Sequence, residues 1–341
     1  MQKELLSTTK IMKSNFFKKL FIKISKMLGY EIIDQNEFFS PTLEKKLNDD
    51  LSIINDKSIV LPLGEVKVNR KIKSILTILR INTEIEVWDQ NKKRLFEFPK
   101  IEYTLRSLNS LIKSINFSKK KYPNINHKII IVDDNSTKEN ISKINKLVDE
   151  SNIKIDLINL NSSDYNNVIK KQKSEDTFSN LSSLLKCYEL AKEQGEDLIF
   201  FVEDDYLHFE SMMEEMIASY ERISSQLEKD FFMCPSDYPY LYMNNQKTNI
   251  LIGNKRHWRT VDRALCTFMT SKIFIDKYWN NFYNNCLDRH DPFEKYLNEI
   301  YEKEFCISPL KSLSVHMTNV NSSYGLSPFI DYKKIWDENL V

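Results

Sequence analysis

The sequence predicts an α/β protein with a mostly parallel central sheet flanked by helices, and three observations predict it. Short apolar runs alternate with longer amphipathic segments from Ser74 to Leu227. The runs are apolar at successive positions, as strands covered on both faces are. Two of them end in acidic clusters, Asp133-Asp134 and Glu203-Asp204-Asp205.

Taken in order, residues 1–70 read as an appendage. Phe16, Phe17, Leu20, Phe21, Ile24, Met27 and Leu28 recur at helical spacing. Between Leu5 and Tyr30 lie six lysines and no acidic residue, so a helix over 10–28 either rests on an anionic membrane surface or packs on the main domain. Residues 34–70, with Pro41, Pro62 and Gly64 as breakers, form a connecting segment.

Ser74–Ile81 is the first buried strand, and Ile101–Phe117 the first helix, with Leu105, Leu108, Ile112 and Ile115 on one face. Lys128–Val132 is a strand that stops in the polar turn Asp133-Asp134-Asn135-Ser136. A polar helix over 138–150 and a strand at Ile153–Leu160 follow. Phe178–Gln194 is helical and Gly195 ends it. Leu198–Val202 is the fourth strand and Phe209–Leu227 the next helix. This divides the chain into an appendage (1–70), a half that carries both acidic strand ends (71–230) and a second half with a C-terminal segment (231–341).

Composition excludes several classes. The 341 residues carry a net charge of +1, so no global field points to nucleic acid. Five scattered cysteines, without a C-x-x-C pair, fit a reducing cytoplasm better than a disulfide framework or a zinc ribbon. No run approaches the roughly 18 apolar residues of a spanning helix, so the expected location is cytoplasmic, with peripheral attachment at the inner membrane face as the alternative. The chain has only five glycines and no two are close. Dinucleotide fingerprints and Walker loops need clustered glycines, so any phosphate must be held another way, and a metal ion is the obvious one.

The acidic strand ends are where such an ion belongs. Adjacent carboxylates repel unless something positive neutralises them. They are hard oxygen ligands suited to Mg²⁺ or Mn²⁺ together with substrate phosphates. The competing reading is a solvated acidic turn or a helix cap.

The order strand, helix, I-I-V-D-D-N-S, strand, helix, F-F-V-E-D-D-Y resembles the GT-A fold of nucleotide-diphospho-sugar transferases. Its first half is similar to family 2 glycosyltransferases, and its E-D-D triplet to the N-acetylglucosaminyltransferase I type. The resemblance covers residues 74–230 well and 231–330 loosely. It implies that Asp133 or Asp134 recognises the base or ribose, with Arg80 beside the same nucleotide. It also implies that Glu203 faces the ribose, Asp204 the sugar hydroxyls and Asp205 the metal. Val202 stands where the family 2 form has another acid.

The second half supplies further candidates. A general base for the acceptor hydroxyl is sought among Asp291, Asp288 and Glu294; Asp291, followed by Pro292, is equally well placed to cap a helix. His316 precedes a polar loop and is a candidate at the metal or diphosphate, against an ordinary structural histidine. Trp258 is a candidate to stack on a sugar and Arg259 to fork onto diphosphate. Tyr238 and Tyr240 cover a pocket or pack inward, and the aromatics of Phe274–Phe282 are core.

The expected activity is therefore transfer of a sugar from a UDP- or GDP-linked donor to a glycan or lipid-linked acceptor, with inversion. A sugar-phosphate nucleotidyltransferase is disfavoured because Arg80–Glu86 holds no glycine. A non-catalytic nucleotide-sugar or glycan-binding protein on the same scaffold is the other alternative.

Overall fold

The computed structural model describes residues 4–30, 32, 52–55, 57–60, 64–84, 94–243, 248–318 and 323–341. Residues 34–51, 56 and 61–63 of the expected connecting segment lie outside the described residues, as do 319–322 of the polar loop. The chain forms two compact units: α1 (Glu4–Met27) belongs to one and the large sheet with its helices to the other. No helix among the described residues is long and apolar enough to cross a membrane.

Two short strands, β1 (Lys57–Val60) and β2 (Gly64–Lys67), pair with each other. The main architecture begins with β3 (Ser74–Ile81), α2 (Lys100–Lys119), β4 (Asn126–Asp133), α3 (Lys138–Asp149) and β5 (Lys154–Asn159). It continues through α4 (Glu175–Gln194), β6 (Leu198–Glu203), β7 (Tyr206–His208), α5 (Met212–Leu227) and β8 (Phe232–Met233). β9 (Ile250–Ile252), β10 (His257–Val261), β11 (Phe268–Ser271), α6 (Lys272–Lys277), α7 (Trp279–Cys286) and α8 (Lys295–Tyr301) follow. β12 (Cys306–Pro309), β13 (Ser314–His316) and α9 (Tyr332–Glu338) end the described elements.

One sheet runs β5-β4-β3-β6-β11-β8-β12-β10-β9. β11 and β10 oppose the direction of the other strands, so the sheet is mostly parallel, as predicted. Residues on both sides of position 230 contribute strands to it.

The double-sided apolar runs explain the layering. β3 sends Ile75, Leu79 and Ile81 into a core with α2 and α5, and Leu76 and Ile78 into a core with α4 and α7. Gly195 ends α4, as predicted, with an ordinary negative φ of −71°. Its lack of a side chain serves packing: a Cβ would sit 2.5 Å from the Ala191 carbonyl oxygen and 2.9 Å from Ile199. The expected helix over 209–227 starts only at Met212, because 206–208 form β7 and pair antiparallel with β13.

Trp258 requires a correction. It lies on β10, is wholly buried in the core and donates its indole N–H to Ser219 Oγ at 3.0 Å. A Cβ on Gly253 would lie 2.4 Å from that indole nitrogen. No ring face is available to a sugar, so Trp258 is a core residue. Trp258→Ala should therefore cost ~3–5 kcal/mol of folding stability by lost contacts and a residual cavity. Urea unfolding should show a lower midpoint at unchanged slope.

Candidate functional site

Strand order fixes the site. The chain builds outward from β3 through β4 to β5, then returns to place β6 on the other side of β3. Ligands of open α/β sheets gather beyond the carboxyl ends of strands at such a reversal. Arg80 stands directly opposite Glu203 in the parallel β3–β6 register, so the ends of these two strands carry the first functional groups.

Each carboxylate of the Glu203-Asp204-Asp205 triplet has its own partner. Arg80 Nη2 contacts Glu203 Oε1 at 2.6 Å, and its other nitrogen donates to the Asn180 carbonyl at 3.0 Å. Burial disfavours the charged guanidinium, but Glu203 outweighs it and raises the Arg80 pKa. Burial and the neighbouring Asp205 raise Glu203, with Arg80 pulling the other way. Arg80 is thus held by Glu203 and by the α4 backbone, and it bridges β3 and β6.

Asp204 is buried. Lys100 Nζ donates to its Oδ1 at 2.6 Å, Thr104 Oγ1 to its Oδ2 at 2.7 Å, and the Asn82 amide at 3.3 Å. Both side-chain donors come from the first turn or two of α2. The backbone N–H groups of that helix end add to the positive field.

Asp205 meets His316. β7 and β13 pair with Tyr206 opposite His316, and the Met317 amide donates to the Asp205 carbonyl at 2.9 Å. His316 Nε2 lies 3.2 Å from Asp205 Oδ2, and Thr318 Oγ1 donates to the same oxygen at 2.8 Å. His316 Nδ1 lies 2.8 Å from the Tyr324 carbonyl. A carbonyl only accepts, so Nδ1 carries a proton and Nε2 is the atom that gains or loses one. Burial opposes charge on the ring, yet Asp205 raises the His316 pKa. Burial likewise opposes ionisation of Asp205, and His316, Lys100 and Thr318 override it to hold the carboxyl below its usual range. The Tyr206 ring stacks on His316 at 4.7 Å and fixes its plane.

A polar groove of about 1060 Å³ opens beside this cluster, over the carboxyl ends of β3, β4 and β5. Asn82, Asp134, Asn161, Lys171 and Phe178 are among its walls. The two aspartates after β4 divide their tasks. Asp133 turns back to accept from the Ser136 amide at 3.3 Å, closing a turn in which Asn135 takes φ 67°. Asp134 lines the groove and accepts from Ser179 Oγ at 2.6 Å. Of the pair, Asp134 faces the groove.

The second-half candidates separate too. Asp291 is exposed and does not start a helix: the Asp291-Pro292 peptide is cis, and α8 begins at Lys295 after Glu294. Asp288 is tied to Lys170 at 3.1 Å and Gln172 at 3.2 Å, which lower its pKa. Glu294 is different. Burial pushes its carboxyl up to about 7, its own amide and Arg80 oppose this, and Glu203 adds to it. It is therefore the candidate within electrostatic reach of the triplet. Arg259 lies elsewhere, ion-paired with buried Asp237 and stacked on Tyr242 at 4.4 Å. Its expected role on diphosphate is corrected to a structural ion pair. Tyr238 and Tyr240 pack inward, and the Tyr238 hydroxyl meets that of Tyr206 at 2.7 Å.

Sequence reasoning missed Lys100, Thr104, Ser179 and Thr318. Only Thr318 carried a signal, in the polar run after His316. Among the described residues no three His, Cys, Asp or Glu side chains converge on one point. The protein offers a cation two donors, Asp205 and His316, and a partner molecule would have to complete the coordination.

No protein-family model matches the chain, and no curated protein does. Solved structures with some likeness include S. aureus TarS 1–349, 12% identical with a TM-score of 0.40, over 71% of this chain and 59% of that one. The galactosyltransferase LgtC with donor and acceptor sugar analogs is 9% identical with a TM-score of 0.33, over 66% and 70%. A UDP-glucose pyrophosphorylase complexed with UDP-glucose is 11% identical with a TM-score of 0.35, over 79% and 97%. The chain thus spans less than two thirds of TarS 1–349.

The raised Glu294 carboxyl has a signed consequence for stability. Its proton affinity is higher folded than unfolded, so folding is penalised once the unfolded carboxyl ionises above about 4.5, and the penalty is complete above about 7. Glu294→Gln should be as stable as wild type at pH 4 and more stable at pH 8, by on the order of 3 kcal/mol. Denaturant unfolding across that range checks it.

Proposed function

We propose that this chain is a metal-dependent glycosyltransferase that moves a sugar from a nucleotide-diphosphate donor to a glycan or lipid-linked hydroxyl. The observation that carries the reading is the Asp205–His316 pair at the strand reversal, beside a polar groove of nucleotide size. The donor set fits Mn²⁺ or Mg²⁺. Asp205 supplies a hard oxygen and His316 Nε2 a lone pair, with the other ring nitrogen oriented by a carbonyl as metal-bound histidines commonly are. When bound, the cation would draw in donor phosphate oxygens and offset charge on the departing diphosphate.

The remaining roles belong to the chain's own residues. The nucleoside occupies the groove, where Asp134 and Asn82 offer an acceptor and a donor for base or ribose. Lys100 and Thr104 hold Asp204 rigid beside the donor sugar. Glu294 acts as the base. It takes the proton from the acceptor hydroxyl as that oxygen bonds to the anomeric carbon and the nucleoside diphosphate leaves. A carboxylate whose pKa is about 7 is a far stronger base at neutral pH than an ordinary glutamate. Inversion at the anomeric carbon follows from this single displacement.

Calorimetric titration of UDP and GDP, with and without Mn²⁺, tests the donor site. One nucleotide should bind in a metal-dependent way, and Asp205→Ala should weaken it at least tenfold. Absence of binding by either nucleotide to folded protein would defeat this donor assignment. With the preferred donor and an acceptor in hand, Glu294→Gln should lower kcat by roughly 10²–10⁴-fold with little change in donor KM. The wild-type rate should fall as pH drops below about 7, since the base must be ionised. A pH-independent rate through that range would remove Glu294 from the mechanism.

A further inference from the structure

The first helix carries a second, independent feature. At about 100° per residue, Phe16, Phe17, Leu20, Phe21, Ile24 and Met27 fall within an arc of about 140°. Lys18, Lys19, Lys23 and Lys26 occupy the opposite side. The apolar arc is open to solvent: Phe17 is 74% exposed, Phe21 60% and Met27 81%, with Leu28 and Tyr30 just beyond also exposed. Six exposed apolar side chains on one face of one helix form a patch that water does not favour, and such patches mark interaction sites.

Charge identifies the occupant. Residues 5–30 hold six lysines and no acid, while the whole chain carries only +1, so the rest of the molecule is net negative. An anionic surface attracts this helix and repels the remainder. A second copy would bring together two runs of residues 5–30, each with six lysines and no acid.

We propose that α1 is an interfacial anchor that lies in the plane of an anionic lipid bilayer. The phenylalanines and Met27 enter the acyl boundary, and the lysine side chains reach back to the headgroup phosphates. The anchor holds the chain at a surface where lipid-linked hydroxyls are concentrated, but it does not depend on the donor-site reading.

The test is co-sedimentation of the full chain with vesicles of phosphatidylcholine alone and of equal parts phosphatidylcholine and phosphatidylglycerol. The expected result is binding to the anionic vesicles and at least roughly tenfold less to the neutral ones. Phe17→Glu with Phe21→Glu should abolish binding, and replacing Lys18, Lys19, Lys23 and Lys26 by Gln should weaken it roughly tenfold or more. Unchanged thermal unfolding of the variants establishes that the fold is intact. Failure of the wild-type chain to sediment with anionic vesicles would overturn the proposal, as would equal sedimentation of the double Glu variant. Light scattering that finds a wild-type dimer, made monomeric by the Glu substitutions and unaffected by anionic vesicles, would assign the face to a second copy instead. Metal-dependent nucleotide binding should be the same in all variants, so failure of the anchor and failure of the donor site are separable.

Discussion

Three consecutive carboxylates at the end of a buried strand can coexist only if each is neutralised, and that requirement organises the site. Arg80 answers Glu203, Lys100 answers Asp204, and His316 with Thr318 answers Asp205. The partners come from β3, from the start of α2 and from β13 with the residues just after it. Taking one member of a buried pair away leaves an uncompensated charge, which is strongly destabilising. The triplet therefore ties together segments more than 100 residues apart in the chain.

The three pairs are not equivalent. The Arg80 and Lys100 contacts join strand and helix ends within the parallel half of the sheet. The His316 contact depends on β7 and β13, two three-residue strands outside the large sheet. In the Asp205–His316 pair the exchangeable proton sits at the imidazole Nε2, because Nδ1 is committed to the Tyr324 carbonyl.

Much of the fold was legible in the sequence. The β3 boundaries coincide with the apolar run from Ser74 to Ile81, and α3 and β6 differ from their predicted spans by a single residue at one end. Burial on both faces of the central strands leaves continuous apolar runs, and that pattern survives without knowledge of the fold. Asp134, Asp204 and Asp205 were visible for the same reason, as polar residues terminating such runs. Trp258 and Arg259 misled because sequence supplies side-chain chemistry and no depth. On β10 the indole points into the core and the guanidinium meets Asp237.

By itself the sequence determined the four strands β3 to β6, where their acidic ends fall and that the helix over residues 10–28 has an apolar and a basic side. Those properties are local, written in the spacing of neighbouring residues. Only the tertiary structure decided that Lys100 faces Asp204, that His316 rather than another histidine reaches Asp205, and that burial raises the pKa of Glu294. Ion pairing and desolvation act through space over a few ångströms, and strand order, not sequence separation, sets which groups come that close.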